Sequence, residues 1–274
     1  MNIIYYCLIF CVMLLSCNSV KKIYRSEYIN ALKTEPVANE ILTYDDLTDL
    51  PYQVQNYLKL RGVINNPKVY NFKAEFSGKI KLNLDQPSIK IAIEQHNFIT
   101  NFKRFFYIKG HKLFIPFIGR DLYNFGKGNM LIKVADLFKV ADSKGNYMDQ
   151  SALVTFLNDM VLLAPASLID KRLKWQSIDS STVKVTLSDY SNSVSALLLF
   201  NEKYELINFV TDDRYYEPLG QKPLRVKWST PVEYKYTNGI AYPSFGRAFW
   251  HFPDKDFCYI ELMIDTIEYN ILYR

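Results

Sequence analysis

Alternation of apolar and polar residues is the strongest pattern in the chain. Between Tyr70 and Leu82 the apolar side chains take alternate positions, with lysine and glutamate on the positions between them. Side chains on a β-strand point to opposite faces in turn, so this pattern predicts a strand with one buried and one wet face. Ile89, Ile91 and Ile93 repeat it, and further short strands separated by turns continue to the end of the chain. The sequence therefore predicts an antiparallel meander.

Two segments have helical periodicity. The first, DDLTDLPYQVQNYLKLRGV, has Pro51 near its first turn, Gly62 at its end and one apolar stripe. The second, DQSALVTFLNDMVLLAPASLI, is apolar almost all round and must end or bend at Pro165. Because this buried type of helix lies between two blocks of strands, we expect the sheet to curl around it. The predicted fold is mainly β with few helices, a curled antiparallel meander (half-open barrel) around one or two helices.

The N-terminus reads MNIIYYCLIFCVMLLSCNSVKK. Its apolar run, Ile3 to Leu15, is shorter than the ~20 residues of a membrane-spanning helix but matches the core of a secretory signal peptide. The next residues, Leu14-Leu15-Ser16-Cys17, resemble the lipobox of bacterial lipoproteins, in which the cysteine is acylated and the signal is cut before it. Unlike most such signals, Met1 to Tyr6 contains no lysine or arginine. An ordinary secretory signal with an incidental cysteine is the alternative.

The hypothesis of a lipobox at Cys17 divides the chain into three parts. Residues 1–16 would be the lipoprotein signal peptide, residues 17–45 a lipidated tether, and residues 46–274 a single β-rich domain. Two or more acyl chains hold a protein stably on a membrane, so we expect membrane lipid to be a partner through acylated Cys17. The expected location is the bacterial cell envelope, with the outer membrane preferred to the inner. Cys258 would then be the one unmodified cysteine. Alternation places it on one apolar strand face with Ile260, Leu262 and Ile264, which predicts a buried, inert thiol.

Charge and polar residues exclude more functions than they indicate. The formal net charge is +5, which suits a surface near anionic lipid but is too weak and dispersed for nucleic acid. The basic and aromatic segment NFKRFFYIKGHK could face nucleic acid or phospholipid, but its alternation favours the wet side of a hairpin. His96, His111 and His251 lack ligand spacing, and His96 falls on a wet strand face. We therefore expect no metal and no cofactor.

No catalytic set emerges from the sequence. The charged pairs Arg120-Asp121 and Asp212-Asp213-Arg214 are the remaining candidates, and neighbouring strand residues point to opposite faces. Structural pairs that bridge strands are the better interpretation. The expected protein is non-enzymatic, and a hydrolase of unknown type ranks last.

Several segments in the middle and end of the chain form a set: RDLYNFGKGNMLIKV, LVTFLNDMVLLAPASLI, KWQSID, DDRYY, VKWSTPVEYKY and NGIAYPSFGRAFW. By these segments the chain resembles an uncharacterised bacterial envelope family, known only as a domain of unknown function. The resemblance covers about residues 50–272. That family's fold looks similar to the half-open barrels of outer-membrane lipoprotein carriers. The resemblance implies a curled antiparallel sheet that holds helices in its mouth, and it implies no known reaction.

Two functions compete on these grounds. An open barrel lined by aromatic and aliphatic side chains could bind an apolar, lipid-like small molecule, and we expect Phe156, Met160, Trp228 and Trp250 to line such a site. The alternative is that these side chains only fill the core. In that case the protein would be a structural or partner-binding module, which docks another envelope protein through its edge strands or its tyrosine-rich surface.

Overall fold

The computed structural model describes residues 19–112, 114–217 and 222–273. The predicted signal peptide and Cys17 lie outside these residues. The described chain is mainly β and contains sixteen strands. In chain order they are β1 (Asn71–Ile80), β2 (Ile89–Phe98), β3 (Lys103–Lys112), β4 (Ile115–Asn124), β5 (Lys127–Val134), β6 (Phe138–Lys144), β7 (Leu173–Ser177), β8 (Thr182–Asp189), β9 (Asn192–Phe200), β10 (Leu206–Thr211), β11 (Tyr215–Tyr216), β12 (Leu224–Arg225), β13 (Lys227–Ser229), β14 (Val232–Thr237), β15 (Ile240–Phe252) and β16 (Lys255–Tyr269).

Fourteen of the described strands form one large antiparallel sheet. The strand order is β6-β5-β4-β3-β2-β1-β16-β15-β13-β10-β9-β8-β7, and β14 pairs with β15 outside this path. The first and last of the described strands, β1 and β16, are neighbours and join two meanders into one surface. Within the described residues the two ends of the path, β6 and β7, do not pair with each other. The predicted fold is confirmed: the sheet curls around a helix and stays open.

In the described residues three α-helices accompany the sheet, α1 (Val20–Thr34), α2 (Tyr52–Leu60) and α3 (Asn146–Leu163). Helix α3 lies inside the curl, where it contacts β4 to β6 of one meander and β9 of the other. Its first turn is fixed by the buried Asp149, whose carboxylate accepts hydrogen bonds from the Gly128 backbone N–H at 2.8 Å and from Lys127 Nζ at 2.9 Å. Gly128 permits this approach, because a Cβ there would lie 2.4 Å from the Met148 carbonyl oxygen. No helix in the described residues combines the length and apolarity needed to cross a membrane.

Helix α1 differs from the tether expected over residues 17–45. It packs on the outer face of the sheet against β3 and β4, with Val20 and Tyr24 fully buried. Ion pairs hold it in place: Glu27 binds Arg120, and Glu35 binds Lys103 at the other end. The segment is polar and mixed in charge, which suggested a tether, but Glu27 and Glu35 have partners on strands that are distant in sequence.

His96 is a second departure from the sequence analysis. It does share the outer face of β2 with Glu94, but α1 covers that face, so the imidazole is buried. The Tyr24 hydroxyl lies 2.7 Å from His96 Nδ1, and the Tyr28 ring stacks on the imidazole with centroids 3.9 Å apart. Burial, with a smaller effect of Lys73, lowers the pKa of His96 to about 3. The prediction that His96 lies on the outer face of β2 is therefore right, but the prediction that its side chain is exposed to solvent is wrong.

This buried imidazole predicts a loss of stability in mild acid. The folded protein keeps His96 neutral, whereas the unfolded chain takes up a proton below pH 6.5, so stability is lost as the pH falls from 6.5 towards 3. Between pH 7.5 and pH 5 the free energy of unfolding should drop by about 2 kcal/mol from this group. Urea unfolding at both pH values measures the drop, and His96→Gln should remove most of it. An equal drop in the variant would contradict the assignment.

A β-bulge changes the face of Cys258. In the pairing of β15 with β16, Ala248 is opposite Ile260 and Phe249 is opposite Cys258, so Tyr259 is an extra residue. The bulge reverses the alternation, and Cys258 lies on the opposite face from Ile260. The expectation that both share one apolar face is wrong for this reason. The thiol is half-buried and free, and burial raises its pKa, which agrees with an inert group.

Candidate functional site

A cavity of about 1350 Å³ lies between α3 and the inner face of the curled sheet. Its walls are apolar residues from alternate positions of β1 to β5 and of β16, the positions that a strand directs to one face. Those that face the space include Phe76, Ile80, Ile89, Phe106, Ile108, Phe117, Met130, Ile132, Ile260, Leu262 and Ile264. A concave site with apolar walls is the usual form of a small-molecule binding site.

The cavity opens at one end of the sheet. The turns β1–β2, β3–β4 and β5–β6 all lie at this end because consecutive hairpins alternate between the two ends. Leu82, Gln86, Lys112, Ile115 and Val140, from these turns and the strand ends beside them, line the opening and are exposed or half-exposed. Lys112 Nζ donates a 2.9 Å hydrogen bond to the Gln86 side chain and so connects two of the turns.

One stripe of α3 faces the cavity. It consists of Thr155, Asn158, Asp159, Leu162 and Leu163, which are spaced as neighbours on a helix surface. Phe156 and Met160 lie elsewhere on the helix and do not line the cavity; both are fully buried in the core. The Phe156 ring packs against Phe102, with centroids 4.9 Å apart, and against Tyr123.

The two tryptophans also differ in their position relative to the cavity. Trp228 lines the cavity, and its indole N–H donates to the Tyr259 hydroxyl at 3.2 Å. Trp250, directly opposite Trp228 on β15, is buried against Tyr216 and Tyr259 and does not line the space. The structure therefore brings one of the four predicted ligand residues to the cavity wall and places three in the packing behind it.

Arg214 adds a cation beside Trp228. Its guanidinium carbon lies 4.1 Å from the centroid of the Trp228 ring and 5.4 Å from that of Trp250, and the residue contributes to the cavity wall. Its Nε and Nη1 atoms are buried without a hydrogen-bond partner. Cation–π contacts with two indoles offset part of the cost of burying this charge.

The innermost polar feature is an ion cluster on α3, β2, β3 and β4. Asp159 Oδ2 accepts hydrogen bonds from Arg104 Nε at 2.7 Å, Gln95 Nε2 at 2.8 Å and Asn97 Nδ2 at 3.1 Å. Arg104 Nη1 also binds Asp121 at 2.7 Å. Burial raises the pKa of Asp159, while Arg104 and the two amide donors oppose that rise. The cluster fixes α3 to the sheet and gives the otherwise apolar cavity one polar wall.

The charged pairs found in the sequence do bridge strands, but with other partners than their neighbours. Asp121 binds Arg104, Arg120 binds Glu27 of α1, and Asp213 binds Arg225 at 2.5 Å. Asp213 also accepts a 2.8 Å hydrogen bond from the Ser195 backbone N–H. The carboxylates of Asp121, Glu27 and Asp213 each already bind a cation, which supports structural roles for these three groups. Within the described residues, no cluster of histidine, cysteine and acidic residues could hold a metal.

A serine–histidine–aspartate set lies on β13, β15 and β16, and no sequence pattern predicts it. Ser229 Oγ lies 2.8 Å from His251 Nε2, and His251 Nδ1 lies 2.7 Å from Asp256 Oδ1. Serine hydrolases use this connectivity. However, Ser229 is only 2% exposed and none of the three residues lines the cavity. A nucleophile must reach its substrate, so we interpret the set as side-chain hydrogen bonds that connect three strands.

Fold and cavity together define a class: a half-open antiparallel barrel that holds a helix and encloses an apolar space beside it. The chain belongs to a family of unknown function, DUF6544, whose family model matches residues 40–262. No curated protein matches it. Among solved structures, the chain is similar to a domain from Vibrio parahaemolyticus assigned to outer-membrane lipoprotein sorting. The identity is 9% and the TM-score 0.37, over 73% of this chain and 85% of that one.

Proposed function

We propose that this protein is a lipid-anchored, non-enzymatic binding protein of the bacterial cell envelope whose cavity holds an apolar, lipid-like molecule. The observation that carries the proposal is the cavity itself. Its volume of about 1350 Å³ exceeds the range of about 300–1000 Å³ typical of small-molecule sites, and its walls are mainly aliphatic and aromatic. An empty apolar space of this size would forfeit packing that the rest of the core retains, which supports a bound occupant.

Filling the cavity tests the proposal. Ile132 faces the space from β5, so Ile132→Trp should occupy part of it and weaken binding of a fluorescent fatty acid at least tenfold. The matched control is Ile207→Trp, the same substitution at an exposed position of β10, which should bind as the unmodified protein does. Probe titration followed by fluorescence gives both affinities. Equal affinities in the two variants would contradict a binding site at this place.

The anchor is the second part of the proposal and has its own test. The lipobox-like Leu14-Leu15-Ser16-Cys17 supports acylation, and each buried methylene of an acyl chain contributes about 0.8 kcal/mol to membrane binding. We expect Cys17→Ala to release the protein from the membrane fraction, as measured by immunoblotting after a salt wash. A variant that still sediments with membranes would rule out the acyl chains as the anchor.

The alternative function is a partner-binding module of the envelope. It is favoured by the edges of the open sheet: within the described chain, β6 and β7 each pair on one side only. Free edges can accept a strand from another protein. If the purified protein contains no apolar ligand, fails to bind the fatty-acid probe and instead carries a protein bound along β6 or β7, this alternative replaces the first.

A further inference from the structure

The opening of the cavity carries a group of exposed apolar side chains. They come from the three turns that rim the opening and from the strand ends beside them, and we call them the rim residues: Leu82, Phe114, Ile115, Leu137, Phe138 and Val140. Phe114 is 97% exposed and Phe138 69% exposed. An exposed apolar patch at the mouth of a cavity is costly in water and marks a contact surface.

Lysines surround this apolar rim. Lys81, Lys112 and Lys139 are exposed and lie in or beside the same turns, and Lys133 lies at the end of β5. Against these four cations the same turns and flanking strands contain three acidic residues, Asp85, Asp136 and Asp142, and Asp142 binds Lys139 at 3.1 Å. Apolar side chains ringed by lysine match a bilayer surface, where the former enter the acyl boundary and the latter meet anionic headgroups.

The start of the described chain lies at the same end of the molecule. The Val20 backbone N–H donates a 3.1 Å hydrogen bond to Asp136 Oδ1, in the β5–β6 turn. From there α1 runs along the sheet to Glu35, which binds Lys103 at the opposite end. Cys17 is three residues before Val20, and three residues span at most about 11 Å. Acyl chains on Cys17 would therefore be held within reach of the rim residues.

We propose that the rim residues are a membrane-docking surface, which turns the cavity opening towards the bilayer that holds the anchor. This inference rests on the proposed acylation of Cys17 and extends it. Three features converge on one end of the molecule: the apolar side chains, the lysines and the origin of the anchor. A lipid-like ligand could then pass between bilayer and cavity without crossing water.

Depth-dependent quenching tests the docking. The full-length protein is purified with a Cys258→Ser background and one of the substitutions Phe114→Cys, Phe138→Cys or Phe125→Cys, and the introduced cysteine carries a bimane label. Phe125 is the matched control, because it is also an exposed phenylalanine but lies in the β4–β5 turn at the other end. The proteins are incorporated into vesicles of 70% phosphatidylcholine and 30% phosphatidylglycerol, in which part of the phosphatidylcholine carries bromine on its acyl chains.

We expect bromolipid to quench the labels at positions 114 and 138 at least threefold more strongly than the label at position 125. Equal quenching at all three positions, or none at the two rim positions, would overturn the docking surface. The same preparations are titrated with the fluorescent fatty acid. Intact probe binding without rim quenching would remove the docking surface alone, whereas rim quenching without probe binding would remove the ligand cavity alone.

Discussion

Replacement of Asp159 by alanine is expected to lower the free energy of unfolding by about 3–5 kcal/mol, the usual cost of removing one partner from a buried ion pair. The reason is the environment of Arg104, whose side chain is only 5% exposed and donates 2.7 Å hydrogen bonds to both Asp159 and Asp121. Without Asp159, Gln95 and Asn97 also lose their shared acceptor. Chemical unfolding measures the change.

Two variants control this experiment. Asp159→Asn keeps the volume and an acceptor oxygen but removes the charge, so its loss should be smaller than that of alanine. Asp142→Ala removes a carboxylate whose partners, Lys139 and Lys144, are exposed, and should change stability by less than about 1 kcal/mol. A loss at Asp159 no larger than at Asp142 would show that the buried cluster does not hold α3 to the sheet.

Phe156→Ala is the second large effect, with an expected cost of about 3–5 kcal/mol. The side chain is fully buried between Phe102 and Tyr123, away from the cavity. Its removal should therefore weaken the core while the affinity for a fluorescent fatty acid changes less than twofold. Urea unfolding and probe titration on one preparation separate the two effects.

A contrary result at Phe156 would be informative. If alanine there cost little stability and abolished probe binding, the ring would be a ligand contact and the helix would be turned relative to the described structure. Leu162→Ala provides the comparison, because this residue is on the cavity stripe of the same helix and only partly buried. It should cost less stability than Phe156→Ala.

The architecture could be predicted from the sequence because it depends on the periodicity of apolar residues. Alternation identified the strands, and the apolar circumference of α3 indicated that a sheet surrounds it. The same property does not locate the site. In a helix that is apolar nearly all round, periodicity cannot distinguish core from cavity, and the structure places Phe156 and Met160, both expected at the cavity, in the core. The polar residues Thr155, Asn158 and Asp159 carried the missing signal, because on a buried helix such positions need a polar partner or an open space.

Other features depended on contacts between distant segments. The outer position of His96 followed from alternation, but its burial depends on α1, which lies more than sixty residues earlier in the chain. The bulge at Tyr259 reversed the face of Cys258 and leaves no mark in the apolar pattern of FCYIELMI. The ion cluster of Arg104 and Asp159 joins side chains 55 residues apart. Contacts between distant segments depend on the three-dimensional fold, and a local sequence pattern does not predict them.

The content of the cavity tests the central proposal most directly. The protein is purified from its native membrane in a detergent-free polymer disc, transferred to lipid-free buffer after proteolytic release of the anchor, denatured, and extracted for mass spectrometry. We predict about one molecule of a lipid-like compound per protein chain, strongly reduced in Ile132→Trp and unchanged in Ile207→Trp. If protein that was folded before denaturation gives extracts without any stoichiometric apolar compound, that result would contradict the account.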